Sequence, residues 1–122
     1  MTGIRAEAHA DPGRTLEAAV QNLRDNRDDE VEGTFCHALF EDRMFDEALL
    51  VPLIADIALV LKQQEVDPAH RRLAHWVMLG TLRCLFSHFD ANDFYKIENL
   101  DAEVYGRWSG DYFERFRALM SR

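Results

Sequence analysis

Residues 67–89 read DPAHRRLAHWVMLGTLRCLFSHF, about six turns of helix at 3.6 residues per turn behind a cap-then-proline start. Asp67 can accept a hydrogen bond from the first free backbone N–H groups, and Pro68 fits the first helical position, where no N–H is needed. Leu73, Trp76, Val77, Gly80, Cys84 and Leu85 recur at helical spacing and define an inward face. Met78, Leu79, Leu82 and Phe86 widen that face beyond one stripe, so this helix is predicted to pack on two neighbours. Gly80 costs about 1 kcal/mol relative to Ala in a helix interior, which points to a close helix crossing there.

Upstream, Leu53–Leu61 is apolar around almost its whole circumference and is expected to be the central, most buried helix. Asp46 and Glu47 can cap its start, and Pro52 predicts either a kink or a fresh start. Gly33 and Thr34 open a shorter helix with Phe35, Ala38, Leu39 and Met44 facing inward. A first helix is expected near Asp11, Pro12 and Gly13, with Leu16, Ala19, Val20 and Leu23 on one face. Downstream, Phe94, Tyr95, Ile97 and Leu100 suggest a short helix, and Asp101 can cap another turn through Val104, Tyr105 and Trp108. Ser109, Gly110 and Asp111 are expected to break the chain before a terminal helix with Tyr112, Phe113, Phe116, Leu119 and Met120 inward. No segment alternates apolar and polar residues, and no hairpin turn pair occurs. The expected fold is all-α, an irregular bundle of five to seven helices forming a single domain over residues 11–122, with residues 1–10 loose.

The chain has 122 residues, 48% of them hydrophobic, enough for a core without disulfides or metal. Its net charge of −8 disfavours nucleic acid and anionic lipid as direct ligands. Cys36 and Cys84 sit in apolar helical settings and are expected to be buried thiols of a cytoplasmic protein, in keeping with an N-terminus that has no signal-like apolar run. Nothing long enough to cross a bilayer is present.

Catalytic and metal motifs fail one by one. The run beginning at Asp90 starts like a calcium loop but carries Phe94 at position five, Tyr95 where Gly is required, and Asp101 where a bidentate Glu is required. His70 and His75 are five apart and diverge on a helix, and Cys36 with His37 has no second pair to complete four zinc ligands. Asp67 and His70 could meet as an acid–base pair, but Asp67 is already accounted for as a cap. No nucleophile elbow, phosphate loop or Glu-x-x-His pair occurs. No cofactor, metal or enzymatic activity is therefore expected. Arg71 and Arg72, and Arg115, Arg117 and Arg122, are local basic groups, the last three explained by a helix C-terminus.

What remains is charge in two places. Asp25, Asp28, Asp29, Glu30 and Glu32 form one acidic cluster; Asp90, Asp93, Glu98, Asp101 and Glu103 form another. Phe94, Tyr95, Tyr105, Trp108 and Tyr112 accompany the second, and rings interleaved with acids suit an interface anchored by aromatics and steered by charge. The expected partner contacts are Asp90, Asp93, Tyr95, Glu98, Asp101, Glu103, Tyr105 and Trp108, with Asp28, Asp29 and Glu30 as a second site. In size, charge and helicity over its whole length the chain resembles the small acidic helical immunity proteins of bacterial contact-dependent growth inhibition and bacteriocin systems. That resemblance implies a bacterial cytoplasmic inhibitor whose partner is a basic nuclease toxin. A helical adaptor or phage-type regulator, or a ligand-binding bundle using Asp67, His70, His75 or His88, are the alternatives.

Overall fold

A computed structural model describes residues 13–122. The expected loose N-terminus and the Asp11–Pro12 cap lie outside the described residues. Five helical rods make up the rest: α1 Leu16–Arg27, α2 Phe35–Phe40, α3 Glu47–Leu61, α4 Pro68–Phe89, and a last rod. That rod comprises α5 Ala102–Arg107, a π turn Trp108–Tyr112 and α6 Phe113–Met120. The described residues contain no strand, so the fold is all-α.

The helix starts follow capping chemistry. Thr15, Thr34, Asp46, Asp67 and Asp101 each accept a backbone N–H from the first turn of the helix that follows. The first described helix thus starts at Thr15, and Gly33 enters α2 with a φ of +85°, which suits glycine. Pro52 neither ends nor starts a helix: α3 runs through it, and Pro52 is exposed. Leu50, Leu53, Ile54, Ile57, Val60 and Leu61 of α3 are buried, and every other rod packs on it. Burial of these side chains is worth roughly 1.5–3 kcal/mol each before the entropy of ordering them.

One buried charge is set into this core. Asp56 of α3, only 4% exposed, accepts Arg14 Nε at 3.0 Å and Nη2 at 2.7 Å, and Asn22 Nδ2 at 2.8 Å. The amide of Asn26 continues the network, donating to Asn22 and accepting the Cys36 backbone N–H at 3.0 Å. These polar contacts tie α1 to α3 and α2 at one register, because sliding would leave a carboxylate without partners.

Several expectations are corrected by the packing. The buried stripe of α4 is Leu73, Ala74, Val77, Met78, Thr81 and Leu85, so Trp76 lies at its edge, 37% exposed. Gly80 faces not a helix backbone but the Phe40 ring, whose Cζ would stand 3.0 Å from an added Cβ. Leu16 and Met44 are exposed, and Phe45 takes the inward place instead, edge-on to Phe35 and Trp108. Residues 108–112 do not break the chain. The Phe113 N–H reaches back five residues to the Trp108 carbonyl, and the widened turn keeps Trp108, Tyr112, Phe116 and Leu119 all on the core. Residues 94–100 form no helix; only Ile97 among the expected apolar set is buried, and Phe94 is 99% exposed.

Candidate functional site

The two acidic clusters fold into different chemistry. In the second, Asp90 Oδ1 accepts the Asn92 N–H at 2.9 Å and Asp93 Oδ1 accepts the Tyr95 N–H at 2.9 Å, two successive side-chain turns. The Tyr95 N–H and the Ser87 hydroxyl hold the Asp93 carboxyl below its usual range. Asp101 caps α5 through the Val104 N–H, and Glu98 pairs with Arg43 at 2.7 Å. Glu103 is exposed and outside every ion pair of the described residues. Most of this cluster is therefore engaged in shaping its own segment.

The aromatic residues beside it are likewise structural in part. Trp108 is 4% exposed and packs edge-on to Phe45 and Phe116, so it is a core residue and not a partner contact. Tyr95 is half-buried, with its hydroxyl donating to the Leu39 carbonyl and bonded to the Cys84 thiol. Burial pushes the Tyr95 phenol and both thiols up, Cys36 to about 12. Cys36 is buried and Cys84 partly so, both free. Tyr112 is buried and donates to Glu47 Oε1 at 2.7 Å, where Arg107 also binds in two-pronged fashion at 2.7 and 2.9 Å. The Arg107 hydrogen bonds hold the Glu47 carboxyl below its usual range. Of these rings Phe94, 99% exposed, and Tyr105, 40% exposed, stay open.

In the first cluster, Asp28 Oδ1 accepts the Glu30 N–H at 3.0 Å and Asp25 accepts from Gln21 at 2.9 Å. Asp28, Asp29, Glu30 and Glu32 are exposed within one turn between α1 and α2, and no cation of the described residues forms an ion pair with them. Next to this turn lies an open cleft of about 480 Å³, where Arg24, Arg27, Arg72 and His70 face Asp28 and Asp67. Asp67 Oδ2 stands 3.9 Å from His70 Nε2 while its Oδ1 caps α4, the structural role expected of it.

A third surface has no counterpart among the sequence expectations. Leu79, Phe86 and Phe89 of α4 are 53%, 80% and 60% exposed, continuous with Trp76, Leu82 and Tyr105. Leu79 and Phe86 were expected against a second neighbour, and the described residues provide none. The remaining polar groups do not converge on a reaction. His88 Nδ1 accepts the Ile97 N–H at 2.8 Å, and burial together with nearby Lys96 lowers its pKa. His75 Nε2 is enclosed without a hydrogen-bond partner. No group of three or more His, Cys, Asp or Glu among the described residues is placed to hold a metal ion, and no described helix is long and apolar enough to cross a membrane. Comparison with models of protein families, with curated proteins and with solved structures finds no match for this chain.

Proposed function

We propose that this chain is a protein-binding inhibitor of the immunity type, and that its turn at Asp28, Asp29, Glu30 and Glu32 docks on a basic nuclease partner. The observation that carries this reading is that these four exposed carboxylates stand together and none forms an ion pair with a cation of the described residues. They present anionic oxygens where a nuclease would otherwise receive phosphates, and their summed field accelerates encounter with a basic surface. The second cluster supports this choice of site, because Asp90, Asp93 and Asp101 are held by backbone N–H groups and Glu98 by Arg43, whereas in the turn only Asp28 accepts a backbone N–H. In this reading the chain binds and performs no reaction itself.

The test is capture of partners on immobilised protein at low and high salt, followed by a nuclease assay of whatever binds. The expected result is one basic nuclease, retained at low salt, released at high salt, and inactive with one equivalent of this chain. The triple neutralisation Asp29→Asn, Glu30→Gln and Glu32→Gln should weaken the complex and flatten its salt dependence. Inhibition that is indifferent to those three changes would remove the carboxylate turn from the interface.

A further inference from the structure

Helix α4 is apolar on two sides, and among the described residues only one side is covered. Its outer residues Leu79, Leu82, Phe86 and Phe89 follow a three-four-three spacing, the seam of a helix that pairs with another helix. Trp76 extends the seam by a turn. With full aromatic side chains at 150–250 Å², the exposed fractions amount to on the order of 500 Å² of apolar surface on one protomer. Two such faces reach the roughly 1,000 Å² that a specific interface needs.

The charges at the two ends identify the occupant. Arg72 and Asp90 are separated by eighteen residues, about five turns at 3.6 residues each, so they fall on one line along the outer side of the rod. Arg72 is exposed and forms no ion pair with another described residue; Asp90 is exposed and uses only Oδ1, for the Asn92 N–H. Turning a second α4 antiparallel about a two-fold axis that crosses the outer face midway between residues 72 and 90, on the opposite side of the rod from buried Thr81, sets Arg72 of each copy against Asp90 of the other. The same operation sets Trp76 against Phe86 and Leu79 against the aliphatic stem of Arg83, with Leu82 and Phe89 on the flank of the contact, opposite Gly80 and Leu73. The face is thus complementary to itself, as a two-fold interface must be. A basic partner fits it poorly, because Arg72 and Arg83 lie along it.

We propose that two copies of this chain pair antiparallel through the outer face of α4, with Arg72–Asp90 ion pairs at both ends. This stands apart from the inhibitor reading: Arg72 at one end of the face also lines the cleft that Asp28 borders, but the apolar seam from Trp76 to Phe89 uses none of the carboxylates at residues 28–32, and their failure to bind a nuclease would leave it untouched.

Sedimentation equilibrium on the purified chain from micromolar to millimolar concentration tests the proposal, with a thermal melt run on each variant. The expected result is a reversible dimer that Phe86→Glu converts to monomer with an unchanged melting temperature, since Phe86 is 80% exposed and supports little of the fold. R72E and D90R should each weaken the dimer by about tenfold, and R72E combined with D90R should restore it. A chain that stays monomeric across the range overturns the proposal and leaves the face to a different protein. A dimer indifferent to Phe86→Glu overturns it by placing the interface elsewhere, and a double variant no better than the singles overturns the antiparallel register.

Discussion

The turn at residues 28–32 and the segment at residues 90–101 are similarly acidic, yet one leaves its carboxylates in water and the other commits them to its own backbone. In the second, Asp90, Asp93 and Asp101 each accept a backbone N–H, Glu98 holds Arg43, and the segment is stitched to the core at its end. Asn99 makes the stitch, accepting the Phe45 N–H at 2.7 Å and donating to the Phe45 carbonyl at 2.9 Å. In the first, the acids follow the end of α1 and, apart from the Asp28 turn bond, nothing is built from them. Local composition does not distinguish a structural acid from a surface acid; the backbone N–H it meets does.

The contrast between the two acidic segments depends most on Asn99. Phe45 is 2% exposed, so Asn99→Ala leaves a buried N–H and a buried carbonyl unpaired and should lower stability by about 2–4 kcal/mol in urea unfolding. A loss near zero would mean that residues 90–101 are not anchored to the core, and the contrast with the first turn would collapse. Next in size is Asp101→Ala, which removes the cap of α5 and should cost about 1 kcal/mol. Its natural control is Asp29→Ala, for which no change in the unfolding midpoint is expected.

The helical class, the caps at Thr34, Asp46, Asp67 and Asp101, and the central place of α3 were legible because capping and periodicity are local. The 90–101 segment was not, since Phe94, Tyr95, Ile97 and Leu100 have a helix-like spacing while the hydrogen bonds that decide it come from Phe45 and Arg43, far away in sequence, and from His88 at the end of α4. The unbroken rod at Trp108–Tyr112 was hidden for a related reason. Ser109, Gly110 and Asp111 read as a break, but burying both Trp108 and Tyr112 outweighs a local cost of about 1 kcal/mol for glycine. Of the expected partner contacts, Trp108 was misplaced because a Trp beside acids reads alike whether it faces core or solvent. The exposed seam of α4 was visible as excess apolar width, though not as a surface.

A smaller effect on the 90–101 segment depends on pH. His88 bonds the Ile97 N–H only while its imidazole is neutral, and its pKa is lowered from the ordinary 6.5 by burial and by Lys96. The unfolded chain therefore binds a proton more readily than the native one. The stabilising contribution is complete above about 6.5, shrinks as the pH falls below that value, and is gone under the lowered native pKa. His88→Asn keeps an acceptor near the position of Nδ1 and does not titrate. The difference in unfolding free energy between wild type and His88→Asn should thus change between about pH 7 and pH 5, with the wild type losing ground on acidification. A constant difference would show that His88 does not hold the segment.

The smallest expected effect on the fold is the most informative about function. Neutralising Asp29, Glu30 and Glu32 to their amides removes like charges that crowd one exposed turn and breaks no hydrogen bond or ion pair of those side chains among the described residues. The melting temperature should therefore stay level or rise slightly, because exposed like charges repel one another only weakly through water. The same triple change should lower the association rate with a basic partner far more than it raises the dissociation rate, since exposed charges act mainly on encounter. Measuring both rates at two salt concentrations separates the outcomes. A reduced association rate with lost salt dependence identifies the turn as the steering surface. A faster dissociation at equal association would instead mean that these carboxylates are buried in the complex, as direct ligands of the partner's basic groups.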